Sequence, residues 1–355
     1  MRTLDRYIER NFLSGALVVL LILVPLFAFL TLAEELDNVG KGAYTSFDAL
    51  IVVGYSVPKL ILDLLPVTTL LGVLIGLGAM ANNRELIIIN AFGISARRTA
   101  WPVVKAVSLL IVLVLLVQFY VVPQFELNAA KVKSKATPEL SIASNDSEFW
   151  TRSGNHFIRI GDVIQHGTLR DVEIFELSNQ GELQELVQAS NVEVLGGGQW
   201  LLMNVTITDL KSQQITEEHL KSKMWQSFLS AQQTAALLVP VEAMAPSDLY
   251  QRIRLLEKNS LNTHRFRVLF WQQLSLPVSL IAMSLLGLPF LLGSVRNISA
   301  GQRAAIGGCV GILFYLAEQT MGHLAILYEL SPAPAALGPD ILLLAIALLN
   351  LFQKK

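Results

Sequence analysis

The sequence predicts an α-helical membrane protein with six transmembrane helices and an inserted all-β, jelly-roll-like domain. Three observations carry that expectation. Of the 355 residues, 53% are hydrophobic and 15% charged, where a soluble domain carries about 25% charge. Six runs are long and apolar enough to cross a bilayer, which takes about 20 residues. Between the third and fourth runs the pattern changes to alternation broken by glycine-rich turns, the period of a strand. The chain thus divides into 1–123, 124–245 and 246–355: three helices, the β domain, then a juxtamembrane helix with three more helices.

The spans are expected at 12–33, 55–81, 99–122, 268–292, 303–323 and 335–352. The first follows Arg2, Arg6 and Arg10 and ends in Thr31-Leu32-Ala33, which loosely resembles a signal-peptide cleavage site. Its apolar core exceeds the roughly 7–15 residues of a signal peptide, so it is read as a retained helix. Lysine and arginine placement puts both termini in the cytoplasm: Arg84, Arg97, Arg98, Arg296, Lys354 and Lys355 then lie inside. The hairpin with Glu34, Glu35, Asp37 and Asp48 lies outside, as does "YELSPAPAALGPD", which has acids and no base. Arg252, Arg254, Lys258, Arg265 and Arg267 oppose this vote from the outer side.

The inserted region reads as "EFWTR", "HFIRIGDVI", "DVEIFEL", "SNVEVL" and "QWLLMNVTITDL", with Ser153-Gly154-Asn155, Ser178-Asn179-Gln180-Gly181 and Gly196-Gly197-Gly198 as turns. Antiparallel strands at this spacing suggest a sandwich or jelly roll. From Pro246 the pattern turns helical, with Leu249, Ile253 and Leu256 on one face.

Much chemistry is excluded. There is no phosphate-cradling G-x-x-x-x-G-K-[ST] loop and no H-E-x-x-H, and no G-x-S-x-G elbow. His156, His166, His219, His264 and His323 share no metal-ligand spacing. Cys309 is the single cysteine, which excludes an intramolecular disulfide and a thiolate cluster. A net charge of −1 gives no nucleic-acid footprint. No catalytic residue and no metal site is expected.

What remains is positional. The segment "GAMANNRELIIINAFGISARRTAW" is too short and charged to span and too apolar to be an idle loop. It reads as a short cytoplasmic helix at about 82–96, capped by Asn82 with Glu85 in a capping box, with Leu86, Ile89 and Phe92-Gly93 on one side. It either rests on lipid or, as we favour, docks its apolar face into a groove on a partner. Asp63, Glu318 and Gln319 are polar groups inside spans, where such residues either hold helices together or belong to a polar pathway. Lys131, Lys133 and Lys135 beyond the third span form either a solvated face or a site for anionic head groups, and Arg252–Arg267 would be explained in the same way.

Several stretches resemble the LptF/LptG family of lipopolysaccharide-export permeases. They are "LDRYIERNF", "LPVTTLLGVLIGLGAMANNREL" with "AFGIS", and "PQFE"; then "FWTRSGNHFIRI", "LPFLLGSVRNISAGQR" and "GILFYLAEQTMGHLA". "LDRYI" and "VPK" at 57–59 place the likeness nearer the LptG member than LptF. The resemblance implies a heterodimer with a sister permease, LptF, and an attached LptB ATPase dimer. This chain would bind no cofactor, with ATP and Mg held by that ATPase. Lipopolysaccharide would leave the outer leaflet of the inner membrane for periplasmic jelly rolls and a bridge including LptC. It implies that Glu85 and Leu86 meet the ATPase, that Ala91, Gly93 and Ser95 shape the turn behind, and that Arg84, Ile89 and Phe92 share the contact. Relatives carry lysines at the top of the first helix; here Thr31, Asp37 and Asn38 stand there. The phosphates would then fall to Lys41, Lys59, Lys131, Lys133, Lys135, Arg265 and Arg267, or the lipid is less phosphorylated. Rival readings are a permease for another lipid or lipoprotein, whose extracytoplasmic domain usually follows the first helix, and a scaffold or sensor.

Overall fold

A computed structural model describes residues 2–92, 94, 96–136, 149–153, 155–164, 168–178, 182–195, 199–210, 216–226, 241, 244–258, 262–292 and 300–353. Arg296, Lys354 and Lys355, three of the orientation residues, lie outside the described residues, as do Gly154, 179–181 and 196–198 of the predicted turns.

Among the described residues six helices are long and apolar enough to cross a membrane: Thr3–Leu36, Ser46–Asn82, Arg98–Lys133, His264–Pro289, Ala305–Leu327 and Pro332–Asn350. The protein is a multi-pass membrane protein. α1 (Arg2–Leu36) opens it. α2 (Ser46–Gly72) follows, its start fixed by a capping box in which Thr45 and Asp48 satisfy each other's backbone N–H groups. A π-helical turn, Val73–Leu77, carries α2 into α3 (Gly78–Asn82). Then come α4 (Glu85–Ala91) and α5 (Ala96–Leu116), which continues through a π turn, Val117–Val121, into α6 (Val122–Ala136).

The second and third spans are 37 and 36 residues long. At 1.5 Å per residue each reaches about 54 Å, against an apolar bilayer core of about 30 Å, so both project well beyond the lipid. Where α1 turns into α2, Tyr44, Ala49, Val52 and Ala129 form a small core of their own, with Leu32, Val39, Tyr55 and Val132 against it. The main membrane core joins Ile8 and Phe12 of α1, Leu70, Leu74 and Leu77 around the first π turn, Val103 and Val107 of α5, and Leu280 and Met283. Outward faces stay apolar and open, as at Leu21 (65% exposed) and Leu109 (72%), as suits helices that cross a bilayer. α1 meets α2 through small residues. A Cβ on Gly76 would stand 2.1 Å from the Asn11 carbonyl oxygen, and one on Gly15 would stand 2.7 Å from that of Gly72. Glycine at these positions lets two backbones touch, the usual basis of helix association in lipid.

The β domain comprises β1 (Phe149–Ser153), β2 (His156–Ile164), β3 (Thr168–Leu177), β4 (Leu183–Val194), β5 (Gln199–Asp209) and β6 (Thr216–Gln226). They make one sheet in the order β1-β2-β3-β4-β5-β6, antiparallel throughout. The inserted all-β domain is therefore present, and its described strands form an antiparallel meander. The ladders also pass over one residue per strand along a line: Gly161, Asp171, Ser190, Asn204 and Lys221. Asp171 and Asn204 have φ of 51° and 49°, left-handed conformations that asparagine and aspartate tolerate best. At this crease the buried set changes phase, within β3 from Leu169 to Val172 and Ile174, and within β5 from Trp200 and Leu202 to Val205. One apolar face, which includes Trp200, thus continues from β2 to β6.

α7 (Pro246–Lys258) returns the chain to α8 (His264–Leu292), α9 (Ala300–Leu327) and α10 (Pro332–Gln353). α8 packs along α10 more extensively than along α9.

Candidate functional site

The first part of the site is the segment between the second and third spans. α3 ends at Asn82, and the chain turns through Asn83 and Arg84, whose φ is 62°. The expected capping box between Asn82 and Glu85 does not form, because Asn82 still belongs to the preceding helix. Glu85 is instead held by two other donors: Tyr7 Oη to Oε2 at 3.0 Å and Asn83 Nδ2 to Oε1 at 3.3 Å. The first turns of α1 brace α5 in the same way. Arg98 pairs with Asp5 at 2.9 Å and Lys105 with Glu9 at 2.9 Å. Asp5 and Glu9 lie one helical turn apart, so a single face of α1 carries the brace.

The brace decides which way α4 faces. Ile89, expected on the outward side, packs against the membrane core. Ile88 (55% exposed) and Phe92 (81%) point out instead, four residues apart and hence on one side. Arg84 and Ala91 are exposed too. Gly93 and Ser95 lie outside the described residues, and the Leu86 side chain does as well.

The second part is a recess of about 190 Å³ lined by Ala28 and Thr31 of α1, Val53, Ser56, Lys59, Leu60 and Asp63 of α2, and Glu126 of α6. Among the described residues its lining includes one cation, Lys59, and two carboxyl groups, Asp63 and Glu126. Thr31, where a lysine was expected, lines the same recess and bonds back to Phe27 O at 3.0 Å.

The other expected phosphate ligands are not gathered there. Lys133 pairs with Glu35 at 2.5 Å, and the second oxygen of Glu35 accepts from Tyr44 Oη at 3.0 Å. Burial first, and then the Glu35 charge, push the Tyr44 phenol well above its usual value, so it donates throughout the neutral range. Lys41 donates to Asn38 Oδ1 at 3.0 Å. Lys131 is exposed on α6, and the Lys135 side chain lies outside the described residues. The Arg252–Arg267 group is no open patch either. Arg252 lies over the Phe266 ring at 5.2 Å, and burial lowers its guanidinium to about 10. Arg254 bonds Tyr250 Oη at 3.0 Å, and Arg267 pairs with Glu257. Arg265 is exposed on the first turn of α8.

The third part lies among the last three spans. Ser275 Oγ is 3.5 Å from Glu318 Oε1, and Ser279 Oγ donates to Asp340 Oδ1 at 2.5 Å. Asp340 had been read as an acid of an outer loop; it is wholly buried in α10. Gln319, one residue on from Glu318, is exposed and bonds Tyr315. No group of three or more metal-ligating side chains occurs among the described residues. Sequence reasoning missed Tyr7, Asp5, Glu9, Glu35 and Asp340. Only the α1 acids left a trace, in their four-residue spacing.

A family model described as "Lipopolysaccharide export system permease LptF/LptG" matches residues 6–354. The chain is 32% identical over 357 residues to "Lipopolysaccharide export system permease protein LptG" of Haemophilus influenzae, covering 100% of this chain and 99% of that one. It is 28% identical over 353 residues to the protein of the same description from Escherichia coli strain K12, covering 99% and 98%. With six spans, an inserted β domain and a match from end to end, the chain belongs to the LptF/LptG family of lipopolysaccharide export system permeases.

Proposed function

We propose that this chain is the LptG-type permease subunit of an ABC transporter that extracts lipopolysaccharide from the inner membrane and hands it to a periplasmic bridge. The reading rests on family membership, and the observation that carries the mechanism is the outward apolar pair Ile88 and Phe92 on a braced helix. A hydrophobic surface held rigid at the lipid boundary suits a partner's groove. Here the partner is a cytoplasmic ATPase of the LptB type, which binds ATP and Mg; this chain is the membrane component. The sister permease LptF completes the cavity, and LptC continues the periplasmic path. Both termini and α4 lie in the cytoplasm and the β domain in the periplasm.

The ATPase stroke has a defined route. A push on α4 reaches α1 through Glu85–Tyr7, while Asp5–Arg98 and Glu9–Lys105 make α5 move with it. α1 touches α2 backbone to backbone at Gly15, Gly72 and Gly76, so displacement is transmitted without slack to the recess above. There Lys59 offers a point charge to an anionic head group, and the nearby acids Asp63 and Glu126 limit how long it is held.

Gentle affinity purification from the native membrane, with mass spectrometry of all that accompanies the chain, tests this. A nucleotide-binding subunit, a second six-helix permease and lipopolysaccharide are expected together. Recovery with an unrelated kinase or protease, or alone, would overturn the transport reading in favour of a scaffold. Recovery with an ATPase and a different lipid or a lipoprotein would overturn the substrate.

A further inference from the structure

Three spans bring two carboxyl groups together without a base. Ser275 and Ser279 stand one turn apart on α8 and are fully buried. Ser279 holds Asp340 of α10 at 2.5 Å, and Ser275 reaches both Glu318 of α9 at 3.5 Å and Asp340. Asp340 is 0% exposed, and its Oδ2 has no hydrogen-bond partner. The groups that act on Glu318 are Asp340 and, from α2, Asp63; the Tyr315 phenol is near both Glu318 and Asp63. Lys59 serves Asp63. No lysine, arginine or histidine among the described residues faces Glu318 or Asp340. Two ionised carboxylates in such a place would be costly to bury and would repel each other.

We propose that Glu318, Asp340, Ser275 and Ser279 form a binding site for one hard monovalent cation, a proton or a sodium ion. The donor set is all oxygen, which suits such a cation. The orphaned Oδ2 of Asp340 is the atom it would satisfy, and the serine hydroxyls orient the remaining lone pairs. The site joins α9 to α8 and α10, so its occupancy sets how firmly these spans hold together. The inference does not depend on what the chain transports.

The test uses the full-length chain in lipid nanodiscs, in choline buffer, followed by infrared difference spectroscopy. At neutral pH without sodium, a protonated-carboxyl C=O band is expected that Asp340→Asn and Glu318→Gln each abolish. If raising the pH removes the band and sodium does not, the ligand is the proton. Saturable removal by sodium, with a matching rise in Tm that both variants lose, identifies sodium. Should either variant fail to fold, Ser279→Ala keeps both carboxyls and must shift the band's frequency. The proposal is overturned if the wild type lacks this band in the absence of sodium. It is likewise overturned by a band that neither pH nor sodium moves, or one that Ser279→Ala leaves unshifted in frequency.

Discussion

The N-terminal and C-terminal ends of α1, the inner and outer ends in the orientation proposed above, use one device for opposite purposes. At the inner end Asp5, Tyr7 and Glu9 grip α5 and α4. The grip turns Ile89 inward and leaves Ile88 and Phe92 bare, so ion pairing leaves an apolar surface exposed. At the outer end Glu35 grips Lys133 and Tyr44. That grip consumes the cation which the sequence suggested for a ligand. A charged residue near a helix end is thus either scaffold or site, and its intrachain partner decides which.

The largest effect should come from the inner end. Replacing Phe92 with Asp, alone or with Ile88→Asp, should weaken binding of the ATPase subunit by at least 30-fold, since an exposed apolar anchor of this kind is worth about 2 kcal/mol or more. Export should fall with it while membrane insertion stays normal, as read by pull-down and by membrane fractionation. Retained ATPase binding would mean that α4 merely lies on lipid. Tyr7→Phe is the sharper companion. It leaves the apolar pair in place and frees one oxygen of Glu85, so binding should persist while hydrolysis and export become less tightly coupled.

The connection between the two ends comes next. Gly76→Ala places a methyl 2.1 Å from the Asn11 carbonyl, and backbone cannot yield as a side chain tip would. Overpacking of this sort costs about 1–3 kcal/mol, occasionally more. A Tm unchanged from wild type would show that α1 and α2 are not in backbone contact. Gly301→Ala, where nothing lies within 4 Å, is the matched control and should be silent.

How much of this was legible in the sequence follows from what each signal measures. The six spans were clear because a run of about 20 apolar residues has few other uses, and their overshoot beyond the bilayer was hidden because the projecting turns are amphipathic. Asp340 was lost because "SPAPAALGPD" reads as a loop, yet Pro332 begins α10, a place where a missing N–H costs nothing. β6 was missed since its side chains are mostly exposed, with Lys221 and Lys223 on the outermost strand, a usual guard for a sheet edge. The crease through Asp171 and Asn204 broke the alternation that reveals strands. For the site, a short helix was expected around Glu85 and one lies at Glu85–Ala91, but Ile89 packs against the core, and the residue that orients the segment, Tyr7, lies 78 positions away. The lysines were found by charge, and charge says nothing about Glu35.

The outer comparison can be divided by two substitutions of equal chemistry. Lys59→Ala should lower lipopolysaccharide retention by about tenfold, the worth of one charge-assisted contact of roughly 1.5 kcal/mol. Lys133→Ala should change it by less than about threefold, because its partner is Glu35 and a half-exposed pair is worth about 0–1 kcal/mol. Glu35→Gln should move Lys133 toward the Lys59 pattern and raise retention. Equal losses at Lys59 and Lys133, measured by lipid co-purification, would return Lys133 to the binding surface.

The smallest effect concerns Tyr44 and has a pH signature. Tyr44→Phe removes one hydrogen bond to Glu35 but leaves the Lys133 pair, so the loss in stability should be near 1 kcal/mol. Burial and then the Glu35 charge raise the folded phenol above its ordinary 10.0. The folded state therefore keeps a proton that the unfolded state releases from about pH 10 upward. The advantage of wild type over Tyr44→Phe should accordingly be level from neutral pH to about 10 and shrink above it. A gap already closing between pH 7 and 9 would mean that the phenol is not held by Glu35, and that Lys133 alone secures the outer end of α1.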